Sequence, residues 1–111
     1  MYIKIKNRKI EIIEKNSFWD RFKGLKFVLE PIDYIVKFPK RKWFNSNFLC
    51  QRVDIVFTDK NENIIYIHEN LETEKTIFPK HRAYNVYLFP LGAVRNFKVG
   101  DQLIIYNKEK V

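Results

Sequence analysis

The stretch Arg52-Val-Asp-Ile-Val-Phe-Thr-Asp-Lys-Asn-Glu-Asn-Ile-Ile-Tyr-Ile-His-Glu-Asn70 constrains the fold more than any other part of this chain. Two runs rich in β-branched and aromatic residues flank five polar ones, the signature of a β-hairpin. A three-residue loop of this kind is usually a type I turn followed by a left-handed residue that forms a bulge. That assigns Lys60 and Asn61 to the turn and Glu62 to the bulge, with Asp59 facing Asn63. Counting outward along a regular ladder, Phe57 meets Ile65 and Ile55 meets Ile67, an apolar face expected to be the core. The other face then pairs Thr58 with Ile64, Val56 with Tyr66, and Asp54 with His68. A two-residue loop would place Asp54 against Ile67, a poorer apolar match. An aspartate and a histidine directly opposite each other would contribute roughly 0.2–1 kcal/mol and help to fix register.

The rest of the chain repeats the theme of short strands. Tyr-Ile-Lys-Ile-Lys-Asn from Tyr2 alternates strictly, with Tyr2, Lys4 and Lys6 on one side and Ile3 and Ile5 on the other. With Lys-Ile-Glu-Ile-Ile-Glu-Lys from Lys9 it predicts an opening hairpin. Further strands are expected at Asp33–Phe38, Ala83–Pro90 and Gln102–Asn107, the last entered through a Val99-Gly100-Asp101 turn. Only Ser17 to Leu25 changes period. Ser17 and Asp20 have capping-box spacing, Phe18, Phe22 and Leu25 recur at helical intervals beside Trp19, and Gly24 marks the end. This predicts one short helix whose aromatic stripe lies on a sheet. The expected fold is therefore a single domain over residues 1–111, mainly β (α+β): a small compact β-barrel or sandwich of short antiparallel strands with one helix near 17–25.

The 111 residues are 46% hydrophobic and 16% aromatic, enough for a real core, and no internal repeat is present. A single cysteine, Cys50, rules out a disulfide-stapled framework and fits a reducing cytoplasm. The opening residues lack the apolar segment of a signal peptide, and the longest uncharged run, Ala83 to Val94, is too short to span a bilayer. The formal net charge of +8 is spread along the chain rather than blocked, and the abundance of Lys, Asn, Ile, Phe and Tyr together is what AT-rich codons give.

Candidate sites are few. Cys50, Arg52 and Asp54 share a strand face two residues apart, and with His68 across from Asp54 they supply the inventory of a nucleophilic thiol site. Four residues of strand put Cys50 about 13 Å from Asp54, too far for contact with His68. Asp54 and His68 alone could form an acid–base pair. No metal or cofactor is expected: His68 and His81 lie in different segments, no cysteine pair exists, and no glycine-rich phosphate loop is present. Lys37, Lys40, Arg41 and Lys42 interleave with Phe38 and Trp43, a pattern that can track phosphates and stack on bases of a single-stranded nucleic acid.

Three segments, Phe18–Phe27, Phe44–Ile67 and Val86–Ile105, resemble the domain-of-unknown-function family 192 over about residues 9 to 106. Arg21, Gly24 and Leu25 match that family's first motif. Val53, Asp54 and Ile55 match its central hydrophobic-Asp-hydrophobic strand, Asp59 and Asn61 its acidic turn, and Pro90, Gly92, Gly100 and Asp101 its last motif. Glu62 stands where the family has its turn glycine, and Asn45 to Leu49 replace a His-Thr-aromatic-aromatic-Met run. The resemblance implies a mostly β domain with one short helix, no established activity, and Arg21, Asp54 and Asp101 as retained polar positions. The expected function is a non-enzymatic ligand-binding or accessory module, with a cleft near Asn45, Ser46, Asp54 and His68 and with Arg21 and Asp101 as further ligand-binding candidates. Nucleic-acid binding through 37–43 and an Asp54–His68 enzyme are the alternatives.

Overall fold

The computed structural model describes residues 1–5, 8–14, 33–41, 43–45, 51–72, 75–78 and 83–106. Within them lie eight strands: β1 (Tyr2–Ile5), β2 (Arg8–Glu14), β3 (Ile35–Pro39), β4 (Phe44–Asn45), β5 (Val53–Thr58), β6 (Ile64–Leu71), β7 (Thr76–Ile77) and β8 (Asn85–Phe89). Six form one curled sheet in the order β1-β2-β3-β8-β5-β6, and β4 and β7 form a separate two-stranded ribbon. The result is the small β-barrel-like domain that the run of short strands predicts. The helix expected over 17–25 lies outside the described residues.

Two features depart from the all-antiparallel expectation. The opening hairpin forms as expected, with Ile5 opposite Arg8 and Tyr2 opposite Glu11. β2, however, runs parallel to β3, pairing Ile12 with Ile35 and Glu14 with Lys37. Parallel neighbours require a crossover of a dozen or more residues, and the chain between Glu14 and Ile35 is long enough to supply one. The sheet is also apolar on both sides rather than one. Val53, Ile55 and Phe57 join a cluster with Val36, Phe38 and Leu88, whereas Val56 joins a second cluster with Ile12, Ile35 and Phe89. Every residue of β5 is buried, as is every residue of β8 beside it.

Each cluster has its own cover. Phe44 of β4 and Ile77 of β7 point into the first. The segment after β8 covers the second through Val94 and Leu103. That segment also bridges the two sheet edges. On the β6 side the Gly100 amide donates to Ile64 (2.8 Å), Ile64 to Asp101 (2.7 Å) and Leu103 to Glu62 (2.8 Å). On the β1 side Tyr2 and Tyr106 exchange backbone hydrogen bonds of 2.9 Å, and their rings stack at 5.3 Å. Edge strands with unpaired amides invite aggregation, and this lacing occupies part of both. The expected strand at Gln102–Asn107 is thus realised only as isolated bridges at Gln102 and Tyr106.

The β5–β6 turn follows the sequence closely. Asp59 accepts from Glu62 (3.1 Å) and donates to Asn63 (3.0 Å), and Glu62 sits at φ 65°. Left-handed backbone at a residue with a Cβ costs about 1–2 kcal/mol. The Glu62 carboxylate offsets that cost. It accepts from Thr58 Oγ1 (3.2 Å) and Asn85 Nδ2 (2.6 Å) on one oxygen and from the Tyr87 hydroxyl on the other. Thr58, Asn85 and Tyr87 are all buried, so these donors have no access to water. Hydrogen bonds to a charged acceptor contribute about 1.5–3 kcal/mol each, which outweighs the backbone strain. Glu62→Gly, although it relieves φ, should therefore destabilise the fold by about 2–4 kcal/mol. A lowered urea midpoint at unchanged m checks this, and a glycine variant as stable as the parent would show that the carboxylate contributes nothing.

Candidate functional site

Asp54 is the most buried charged side chain of the described residues, at 1% exposure. It stands on the same face of β5 as Val56 and Thr58, pointing toward the second cluster. Its Oδ1 accepts the Asn70 amide at 2.8 Å, and its Oδ2 accepts the amides of Gly92 at 2.8 Å and Val94 at 3.5 Å. One carboxylate thus ties the far end of β6 and the turn after β8 to the central strand. Gly92, at φ 84°, can present its amide inward because it carries no Cβ to oppose that backbone conformation.

The expected Asp54–His68 pair does not form. Thr58 pairs with Ile64 as the turn dictates, but the next pair is Phe57 with Tyr66, so Ile65 is an extra residue. Ile65 and Tyr66, adjacent in sequence, both pack against the first cluster, as a bulge allows. The shift of one residue places His68 opposite Ile55 and turns it to the side of the sheet where Tyr66 lies, 6.4 Å away ring to ring. Asp54 faces the other side. A second irregularity, with Asn70 at φ 56° and its amide turned to Asp54, restores the pairing of Val53 with Leu71. The acid–base constellation read from a regular ladder is thereby corrected: the two side chains are separated by the sheet, and the carboxylate is occupied by backbone amides.

The remaining ligand candidates do not converge on Asp54 either. Asp101 accepts the Lys98 amide at 2.9 Å and shapes the turn that delivers the closing segment to Ile64. Asn45 is placed by its backbone pairing with Thr76. Arg21, Ser46, Cys50 and Lys42 lie outside the described residues. Among the described residues no group of three or more His, Cys, Asp or Glu side chains is arranged to hold a metal ion, and every buried side-chain nitrogen and oxygen has a partner.

The basic and aromatic loop is where side chains gather at the surface. β3 ends at Pro39, and Lys40 turns the chain at φ 55°. The Arg41 amide then donates to the Tyr84 carbonyl at 2.9 Å, which fixes the loop against the strand entering β8. The Arg41 guanidinium lies 5.3 Å from the Phe38 ring centre and 5.5 Å from that of Trp43. Because side chains alternate along β4 and β7, Phe44 and Ile77 point inward while Trp43 and Phe78 point out. The two outward rings stack at 6.1 Å and 29°, with Trp43 44% and Phe78 73% exposed. Lys60, at the tip of the β5–β6 turn, lies 5.7 Å over Tyr84. A contact chain therefore runs Phe78, Trp43, Arg41, Tyr84, Lys60. Phe78, Tyr84 and Lys60 are remote in sequence from the 37–43 cluster; the β4–β7 pairing, the β3–β8 pairing and the hairpin tip bring them to it. Lys37 departs from that cluster. Its alternation in β3 sends it to the opposite face, 5.7 Å over the Tyr87 ring.

Tyr87 is the strongly perturbed group near this end of the sheet. Burial, the hydrogen bond to Glu62 and the negative charges of Glu62 and Glu14 all push its hydroxyl well above the ordinary value of 10.0. The folded chain holds this proton where the unfolded chain releases it, so the stabilisation is complete below pH 10 and is lost as pH rises beyond it.

These elements define a small β-barrel-like domain with an exposed aromatic and cationic ribbon. No protein-family model matches the sequence, and no curated protein matches it. Two solved structures share the fold. A protein of unknown function from Novosphingobium aromaticivorans DSM 12444 aligns over 94% of this chain and 82% of its own, at 17% identity and a TM-score of 0.66. A proposed transcription regulator from Sinorhizobium meliloti 1021 aligns over 93% of this chain and 88% of its own, at 21% identity and a TM-score of 0.66. Likeness at these identities carries the architecture alone.

Two measurements test the buried groups. Asp54→Asn replaces an amide acceptor with an N–H donor facing N–H groups and should cost about 2–4 kcal/mol in urea unfolding. An unchanged midpoint would show that the carboxylate does not hold the three segments. Above pH 10, parent stability should fall more steeply than that of Tyr87→Phe, by up to about 1.4 kcal/mol per pH unit. Parallel curves would place the Tyr87 hydroxyl in contact with solvent.

Proposed function

We propose that this chain is a non-enzymatic, cytoplasmic binding module, a divergent member of the domain-of-unknown-function family 192, and that its partner is single-stranded nucleic acid. The carrying observation is the outward stack of Trp43 on Phe78 with Arg41 laid against it. Base–aromatic stacking contributes about 1–3 kcal/mol per base and tolerates any sequence, because every base has a π-face. Arg41 stands beside those rings, and Lys60 with Tyr84 extends the surface. A formal net charge of +8 favours the approach of a polyanion.

The family reading rests on the matched positions, of which Asp54, Gly92 and Asp101 each have a defined task in holding the fold. The non-enzymatic reading rests on Asp54 and His68, which lie on opposite faces with the carboxylate already engaged, so no proton can pass between them.

Fluorescence anisotropy with a short labelled oligothymidylate, at about 20 and about 200 mM salt, tests the proposal. Binding should weaken with salt, and Trp43→Ala should lower affinity by about tenfold or more at either concentration. A fully paired duplex should bind less tightly than the single strand. No binding at low salt, full affinity in Trp43→Ala, or equal affinity for duplex would each overturn it.

A further inference from the structure

We infer that a second site, separate from the aromatic ribbon, takes a zwitterionic small molecule with an aliphatic side chain, of the chemical class of an aliphatic α-amino acid. A cleft of about 450 Å³ opens between the β1–β2 hairpin and the turn after β8. That volume lies within the range of small-molecule sites, about 300–1,000 Å³. Ile5 and Ile10 from the hairpin and Pro90 and Leu91 from the turn supply apolar lining. Leu91 is 57% exposed, an apolar side chain left at the rim.

The charges give the cleft its chemistry. Arg8 and Asp33 both line it, with opposite sign. Neither takes part in an ion pair among the described residues, in contrast to Arg52 and Lys75, which both reach Glu72. Lys9, the other cation of the lining, is already placed over the Tyr2 ring at 5.1 Å. A guanidinium fork suits a carboxylate, and a free carboxylate suits an ammonium group. A molecule carrying both heads and a branched aliphatic chain offers a partner to the cation, to the anion and to the apolar lining. A simple anion would meet only the first.

The cleft is also held in shape. Gly92 forms part of its lining and donates its amide to the buried Asp54 carboxylate at 2.8 Å. The Ala93 amide donates to the Pro90 carbonyl at 3.0 Å, closing the turn on itself. A wall fixed from behind by a buried carboxylate does not have to be ordered when a ligand arrives, which lowers the entropy lost on binding. Both charged heads lie at the surface, where water weakens their attraction, so the expected affinity is modest, in the millimolar range.

Titration of the labelled protein with L-leucine, 4-methylpentanoate and 3-methylbutylamine, followed by amide chemical shifts, tests the site. L-leucine should move the Gly92 and Ala93 amides in a saturable way, and each one-headed analogue should bind at least about fivefold more weakly. Arg8→Gln and Asp33→Asn, both at exposed positions, should each weaken L-leucine binding while leaving the remaining spectrum in place. No shift at Gly92 and Ala93 with any probe, equal binding of 4-methylpentanoate, or unaltered binding in both variants would overturn the proposal. None of these outcomes bears on the nucleic-acid reading, because Trp43, Phe78 and Arg41 take no part in the cleft.

Discussion

The fold depends on one carboxylate placed inside it. Moving a charged group from water to a protein interior costs several kcal/mol unless hydrogen bonds replace its hydration. Asp54 receives three such bonds, from the amides of Asn70, Gly92 and Val94. Those amides belong to two different segments, and both must bend to reach it. Asn70 and Gly92 each take left-handed backbone, at φ 56° and 84°. The carboxylate thus fixes the shape of the end of β6 and of the turn after β8. That turn in turn sets the course of the segment that bridges the two edges of the sheet.

Glu62 does the same at the opposite end of the central strand. Asp54 and Thr58 bracket Val56 on one face of β5, and Thr58 donates to Glu62. Between these two acids lies the apolar cluster of Ile12, Ile35, Val56 and Phe89. The cluster supplies area removed from water, which has no direction. The two carboxylates supply direction, because each accepts only from donors that arrive at one place. A sheet with an apolar cluster on each side needs such markers, since strands in an all-apolar sheet can slip against one another.

The surfaces follow from the same scaffold. The β4–β7 ribbon buries Phe44 and Ile77 in the other cluster, and strand alternation then obliges Trp43 and Phe78 to face outward. The exposed stack is a consequence of pairing two very short strands in one register. The cleft beside Gly92 arises in the same way, from a turn whose backbone is drawn inward by Asp54 and whose side chains, Leu91 among them, are left at the rim.

Local chemistry was enough to specify much of this. The five-residue reversal with Glu62 in left-handed backbone, the alternating hairpin at the start, the strands near Ile35, Val53, Ile64 and Asn85 and the β-barrel-like class are all legible in the sequence. Each rests on interactions between residues close in the chain. The partner of Asp54 was not legible. A ladder counted outward from the turn has no sign of the bulge at Ile65, because Ile64, Ile65 and Ile67 look alike until the two sides of the sheet are known to be equally apolar. The parallel pairing of β2 with β3, the ribbon that sets Phe78 on Trp43 and the meeting of Gly92 with Asp54 likewise depend on contacts between residues far apart in sequence. Sequence determines where a chain can extend and where it must turn. Which face of each strand meets which distant amide is decided only when two cores form on either side of one sheet, and a one-residue shift in register exchanges those faces.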